Sequence, residues 1–192
     1  MRVIAGRLGG RSLSAPRGLS TRPTSDRVRE ALFSILGDIA GAVVLDLYAG
    51  TGALGIEALS RGALRAVFVE SARPALAVLR QNLVDLGLMG AATVLALPVE
   101  RARDRILAEG PFDLVLADPP YALVAEAAAS LARLAAAGPR FLKPAGSIVL
   151  EHAGRDAPPE VDGLVRAGAR SYGEASLAFY ELPVSAPGEG ML

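Results

Sequence analysis

Val43-Val44-Leu45-Asp46-Leu47-Tyr48-Ala49-Gly50-Thr51-Gly52-Ala53-Leu54-Gly55 runs from an apolar, β-branched segment through a glycine turn into a helical stretch that continues to Arg61. The first six residues read as a strand buried on both faces, the kind found inside a parallel sheet. Glycines at 50, 52 and 55 have the G-x-G-x-x-G spacing, and Glu70 stands twenty residues after Gly50 at the end of a second strand-like run, Ala66-Val67-Phe68-Val69. Strand, tight turn, helix and acid therefore occur in the order of a nucleotide-binding βαβ unit, with the acid placed for ribose hydroxyls.

Asp46, four residues before Gly50, narrows the ligand. A carboxylate this close to the turn repels a pyrophosphate and attracts a ligand with a cationic amino-acid end. S-adenosylmethionine has that end, a ribose and no phosphate, so the site favours it over NAD. A second motif points the same way. Asp118-Pro119-Pro120-Tyr121 follows the apolar run Phe112-Asp113-Leu114-Val115-Leu116-Ala117. Two prolines fix φ and remove two donors, so the strand ends there. That leaves a carboxylate, proline carbonyls and an aromatic ring at its carboxyl end. The ring can stack on a flat base while the carboxylate and a carbonyl accept two N–H bonds from an exocyclic amine. A Pro-Pro turn with a capping Asp is the plainer reading of the tetrapeptide taken alone.

Outward from these motifs the chain alternates strands and helices. The pattern predicts strands at 43–48, 66–70, 92–97, 112–117 and 147–151, with helices at 53–62, 73–87, 99–109 and 122–137. A Lys143-Pro144-Ala145-Gly146 turn precedes the last of these strands. Thr24 or Ser25 can cap a helix reaching about Gly37, with Val28, Ala31, Leu32 and Ile35 as its apolar face. Candidate strands near 164–170 and 176–182 flank Tyr172-Gly173. This alternation implies an α/β fold with a parallel sheet covered by helices on both faces. Asp46, Gly50, Glu70 and Asp118 all fall at carboxyl ends of predicted strands, where ligands of such sheets collect.

Three segments are expected: a basic N-terminal arm over 1–20 shaped as a short β-hairpin turning at Gly9-Gly10, a catalytic domain over 21–182, and a loose tail over 183–192 rich in Pro, Gly and Ser. The 192 residues suit one domain with a proper core, and 52% apolar with 21% charged residues is a globular composition. There is no cysteine, which removes disulfides and thiolate metal sites and is compatible with a reducing cytoplasm. The longest uncharged stretch, Leu86 to Val99, has 14 residues, short of the ~18 a membrane span needs. Met1 to Arg7 lacks the apolar core of a signal peptide. No metal constellation is present.

The net charge is zero but unevenly spread. Residues 1–30 hold seven arginines (2, 7, 11, 17, 22, 27 and 29) against Asp26 and Glu30, a balance of +5, and the remaining residues sum to −5. A basic arm on an acidic body offers phosphate contacts from one element, here Arg2, Arg7 and Arg11, with a solvated charged hairpin as the plainer reading; Arg22 and Arg27 can hold RNA phosphate or pair with local acids. His152 is the only histidine and reads as a packed structural residue. Phe179-Tyr180 in an edge strand reads as core.

The chain resembles the bacterial small-subunit (16S) ribosomal RNA guanine-N2 methyltransferase family, within the class I S-adenosylmethionine-dependent methyltransferases. The resemblance covers residues 1–182. It rests on the two motifs above, on Arg22-Pro23-Thr24-Ser25-Asp26-Arg27-Val28-Arg29-Glu30-Ala31-Leu32-Phe33, and on Glu57-Ala58-Leu59-Ser60-Arg61-Gly62-Ala63. Val149-Leu150-Glu151-His152 and Tyr172-Gly173-Glu174-Ala175-Ser176-Leu177-Ala178-Phe179-Tyr180 complete it. It implies a Rossmann-like, mostly parallel seven-stranded sheet with an antiparallel edge hairpin. It implies cofactor contacts from Asp46, Ala49, Gly50, Thr51, Gly52, Leu54, Glu70 and Ser71, with catalysis by Asp118, Pro119, Pro120 and Tyr121. The family's usual Asp after the third strand, which meets the adenine amine, is replaced here by Pro98, so Val99 and Glu100 are the expected adenine contacts. The implied activity is methyl transfer to guanine N2 of 16S ribosomal RNA, in an assembled or assembling small subunit, by a cytoplasmic monomer. Two rivals stand beside it: a DNA adenine-N6 methyltransferase, and a non-catalytic RNA-binding assembly factor.

Overall fold

The five apolar runs become adjacent parallel strands of one sheet. The computed structural model describes residues 1–15 and 26–183. The strands are β1 (Val43–Leu47), β2 (Arg65–Glu70), β3 (Ala92–Ala96), β4 (Phe112–Ala117) and β5 (Leu142–Ala153), followed by β6 (Val165–Tyr172) and β7 (Ala175–Glu181). Their order is β3-β2-β1-β4-β5-β7-β6. β1 to β5 pair in parallel, while β7 runs antiparallel to β5 and to β6. The edge hairpin implied by the resemblance is therefore present.

Successive residues of these strands point to opposite layers. Val44, Ala66, Phe68, Leu114 and Leu116 pack with α1 (Asp26–Leu36), α2 (Ala53–Ser60) and α3 (Arg73–Asp85). Leu45, Leu47, Val67, Val69 and Val115 pack against α4 (Arg103–Glu109) and α5 (Val124–Ala135). Each fully buried Leu, Val or Phe contributes on the order of 1.5–3 kcal/mol, and both faces of the sheet are filled this way. The chain winds from β1 outward to β3, then crosses back to β4 on the other side of β1, so strand order reverses between β1 and β4.

The structure corrects three expectations. β5 begins at Leu142, earlier than the expected turn at 143–146. Phe112 pairs with Leu142 and Leu114 with Ser147, so that segment is an irregularity inside the strand, held because Leu142 is fully buried. The buried face of α1 is Val28, Arg29, Leu32 and Phe33, whereas Ile35 is exposed. Among the described residues the N-terminal hairpin is reduced to one antiparallel bridge, Arg2 with Ser12, with Val3 donating to the Arg11 carbonyl and Leu13 to that of Met1, around a 3₁₀ turn at Gly6–Leu8. It is docked on the domain. Glu57 of α2 accepts the amides of Ile4 (2.7 Å) and Ala5 (3.0 Å), Ser60 accepts that of Leu8 (3.0 Å), and Asn82 of α3 accepts that of Ser14 (2.8 Å). Val3 and Leu13 join the core below. The helix-cap candidates Thr24 and Ser25, the closing turn at 15–18 beyond Ala15, and the tail from 184 lie outside the described residues.

Candidate active site

The carboxyl ends of β2, β1 and β4 lie side by side, and backbone bonds carry the ladder one step past the strands. The Asp118 amide donates to the Leu47 carbonyl (3.4 Å) and the Ala49 amide to the Val69 carbonyl (3.0 Å). There β1 leaves the sheet sharply, with Tyr48 at φ 58°, Gly50 at 55° and Gly52 at 82°. A left-handed non-glycine such as Tyr48 is unusual and common at functional turns. A Cβ on Gly52 would stand 2.3 Å from Leu79 Cδ1, and one on Gly55 2.3 Å from a Phe68 ring carbon. Gly55 thus lets α2 press directly on β2, the packing role of the third glycine in such a turn.

Above these strand ends opens a cavity of about 800 Å³, the size of a nucleotide-type ligand site. Asp46, Ala49, Gly50, Thr51, Leu54, Glu70, Ser71, Val99, Glu100, Asp118, Pro119, Pro120 and Tyr121 all line it. Gly52, also expected at the ligand, does not. It sits beneath the turn against Leu79 and Ile56, and its place is set by its φ and that close approach. Sequence reasoning missed Met1, Tyr48, Leu97 and Glu151 as lining residues. Tyr48 and Glu151 close the expected strands 43–48 and 147–151, a position that could have flagged them.

The electrostatics centre on Asp46, which is 1% exposed. Burial holds its carboxyl well above the ordinary range. The Gly55 amide, donating to Oδ2 at 2.9 Å, opposes the rise, and the nearby Asp118 and Glu70 carboxylates add to it. A cation entering the cavity relieves all of these acids together. Glu70 is already engaged: Oε2 accepts the Gly50 amide (2.8 Å) and Oε1 those of Ser71 and Ala72 (2.7 Å each). An ionised carboxylate has about four lone-pair positions, so it ties the glycine turn to β2 and retains acceptor capacity for a hydroxyl. Tyr121 starts a 3₁₀ turn and donates its hydroxyl to the Glu174 carbonyl (3.2 Å), which fixes the ring beside the edge hairpin. After β3, Leu97, Pro98, Val99 and Glu100 form one wall of the cavity. Val99 is buried and Glu100 is exposed.

The basic residues of the arm are spread across its surface. Arg2 pairs with Asp26 (3.6 Å), Arg11 donates to the Asp85 carbonyl (3.3 Å), and Arg7 and Arg27 are exposed, while Arg22 lies outside the described residues. Arg29, counted in the charge balance of residues 1–30 but not among the expected phosphate contacts, is fully buried. It donates to the Arg2 carbonyl and to Asp26 (3.0 Å), and its Nε is 3.8 Å from Glu57. Burial lowers its pKa, and the charges of Glu57 and Asp26 oppose that. His152 is buried, with Nδ1 3.0 Å from the Ala153 carbonyl and Nε2 without a partner among the described residues. Among those residues there is no acid or histidine cluster fit for a metal, and no helix is long and apolar enough to cross a membrane.

A doubly wound sheet with an antiparallel edge hairpin, an acid-rich cavity at the switch point and a rigid Asp-Pro-Pro-Tyr lip defines a Rossmann-like class I methyltransferase. The chain belongs to the family described as conserved hypothetical protein 95, which matches residues 1–181. It is 39% identical to YlbH of Bacillus subtilis, which carries the provisional name rRNA methyltransferase, over 94% of this chain and 98% of that one. It is 41% identical to ribosomal RNA small subunit methyltransferase D of Escherichia coli over 63% of this chain and 60% of the relative. The solved structure of yhhF from Escherichia coli, provisionally named a methyltransferase, superposes with a TM-score of 0.77 at 33% identity, covering 96% of this chain and 99% of the other.

Proposed function

We propose that this protein transfers a methyl group from S-adenosylmethionine to the exocyclic N2 amine of a guanine in small-subunit ribosomal RNA. The observation that carries the reading is the sharing of one cavity by Asp46, a buried acid suited to an ammonium group, and Asp118-Pro119-Pro120-Tyr121, a lip suited to a base amine. The residues fit the cofactor: Asp46 faces its cationic end, the turn at Gly50 lets the backbone approach, Glu70 has acceptor capacity for ribose, and the wall at Val99 and Glu100 borders the adenine. The names of the relatives support ribosomal RNA as acceptor. The three segments, arm, methyltransferase domain and tail, belong to the same proposal, as do monomeric state, cytoplasmic location and action on an assembled or assembling subunit.

The amine of guanine is a poor nucleophile because its lone pair is delocalised into the ring. Asp118 and the Pro119 carbonyl accept its two N–H bonds, which favours a pyramidal nitrogen and directs the lone pair away from the ring plane. Alignment of this type supplies on the order of 7–11 kcal/mol. Tyr121 stacks on the base once it has left its own stack, worth about 1–3 kcal/mol. The bound cofactor supplies the methyl carbon: the N2 lone pair forms the new N–C bond and the S–C electrons return to sulfur. The methylated amine is then cationic and acidic, and Asp118 accepts its proton.

Methyl transfer is measured with labelled cofactor on naked small-subunit RNA, on assembled subunits lacking the modification and on duplex DNA, with the nucleoside identified by mass spectrometry. N2-methylguanosine from RNA or subunits is expected, and the better acceptor tells when in assembly the protein acts. Methyladenine from DNA overturns the substrate, and cofactor binding without transfer to any acceptor overturns the activity. Asp118→Ala abolishes turnover at nearly unchanged cofactor affinity; loss of both together means that Asp118 holds the cofactor or the fold.

A further inference from the structure

The proposed reaction leaves one acid of the cavity without a task. Glu151 lies two residues before the end of β5, is 7% exposed and lines the cavity with Asp118. Beneath it, Glu151 also borders a small pocket lined by Leu32, Leu54, Leu116, Val149 and Leu177. Ala117 of β4 is in register with Leu150 of β5, so Asp118 and Glu151 are the next pair along the two strands. Leu116 and Val149, two residues back, share one layer. The period of two puts Asp118 and Glu151 on that same side of the sheet, on strands roughly 4.8 Å apart.

Guanine is the base that such a pair of acids can tell from adenine. Beside its N2 amine guanine carries N1–H, a donor, whereas adenine has a bare N1 lone pair next to its amine. An ionised carboxylate only accepts. We infer that Glu151 is the specificity-determining residue of this site and accepts N1–H of the target guanine while Asp118 holds its N2 amine. The inference rests on the guanine-N2 reading and deepens it. With Tyr121 stacked on the ring, the two acids and the Pro119 carbonyl satisfy three adjacent donors of one base edge. An adenine turned to offer its amine to Asp118 would aim its N1 lone pair at the Glu151 carboxylate, which repels it. The same Asp-Pro-Pro-Tyr lip that suits any base amine thus becomes selective through the neighbouring strand.

The test uses the full chain and the acceptor found in the methyl-transfer experiment, with the mapped guanine replaced by 2-aminopurine. That base keeps the 2-amino group and has a lone pair in place of N1–H. The ratio of kcat/KM for guanine over 2-aminopurine is measured for the wild type, Glu151→Gln and Glu151→Ala, with cofactor Kd as the check on folding. Comparing ratios between proteins cancels the intrinsic difference between the two amines. The wild-type ratio is expected at roughly 10–100-fold, the usual worth of one hydrogen bond to a charged group. It should fall by about tenfold or more in both variants, and furthest in Glu151→Gln, whose amide can donate to the 2-aminopurine N1. A ratio unchanged in both variants overturns the inference, as does a wild-type ratio near unity, a result that needs no variant to fold. Failure of the wild type to methylate guanine at all overturns the guanine reading itself and the inference with it, a result distinct from intact guanine transfer with an unaltered ratio.

Discussion

Replacing Asp46 by Asn should stabilise the free protein and weaken cofactor binding at once. Asp46 is 1% exposed, and burial together with Asp118 and Glu70 raises its pKa far above the ordinary carboxylate range. The folded state then holds a proton that the unfolded chain releases. Below about pH 4, the ordinary carboxylate pKa, both states are protonated and the charge costs nothing. As pH rises from there toward the raised folded value, the unfolded state is favoured progressively, and the cost is complete above it. Asn keeps an acceptor for the Gly55 amide and has no charge to bury. Each unit of pKa elevation is worth ~1.4 kcal/mol, or roughly 3–5 °C in Tm for a chain of this size. The variant should therefore melt above the wild type at pH 7.5, with the gap closing toward pH 4. Cofactor affinity moves the other way, because the ammonium loses a charged acceptor worth about 1.5–3 kcal/mol, a weakening of roughly 10- to 150-fold. Thermal melts from pH 4 to 8 and calorimetric titration with S-adenosylmethionine read both effects. A variant that melts lower than wild type at pH 7.5, with unchanged Kd, would refute the assignment of Asp46 as a strained acid awaiting a cation.

Gly55→Ala forces a methyl group within 2.3 Å of the Phe68 ring and should cost about 1–3 kcal/mol of stability by urea unfolding, with cofactor affinity falling as α2 is pushed off β2. Glu57→Gln removes the charge that Arg29 and Arg61 pair with inside the protein (3.8 and 2.7 Å). It should destabilise by ~3 kcal/mol or more, with faster hydrogen exchange at the Ile4 and Ala5 amides. Tyr121→Ala should raise the acceptor KM or lower kcat/KM by about 1–3 kcal/mol of lost stacking, whereas Tyr121→Phe keeps the ring and stays within a few-fold of wild type. Equal losses for the two Tyr121 variants would assign the effect to the hydroxyl bond with Glu174.

The fold was legible because parallel strands buried on both faces are continuous apolar runs, and the glycine turn and the Asp-Pro-Pro-Tyr lip punctuate two of them. The cavity was legible for a related reason: Asp46, Glu70 and Asp118 each end a strand, and strand ends of a doubly wound sheet converge at its switch point. The docking of the N-terminal segment was not. It depends on backbone amides of Ile4, Ala5 and Leu8 meeting side chains more than fifty residues away, and local pattern carries no trace of such bonds. Arg29 entered the sequence reading only through the charge balance of residues 1–30, because a charged residue is assigned to the surface unless its partners are known. Asp26 stands three residues back on the same helix, but Glu57 became a neighbour only when α2 packed beside α1. Glu151 was quoted in a motif of the resemblance and closes the expected strand 147–151, yet no role attached to it until β4 and β5 were seen in register.

The docked arm changes what a basic N-terminus means here. Helix α2 begins directly after the glycine turn at Gly52 and carries Glu57 and Ser60, which hold the arm. Its eight residues span about 12 Å at ~1.5 Å per residue, so a short rigid rod joins the glycine turn to the element bearing Arg2, Arg7 and Arg11. Met1 lines the cavity itself. A free arm would supply only attraction, the same for any phosphate within reach. An arm referenced to the turn through part-buried bonds would, on the proposed function, fix where backbone phosphates sit relative to the base amine, since phosphate contacts set register. On the proposed function, loosening the arm at Glu57 should therefore lower the yield at the target guanine more than it lowers total RNA binding.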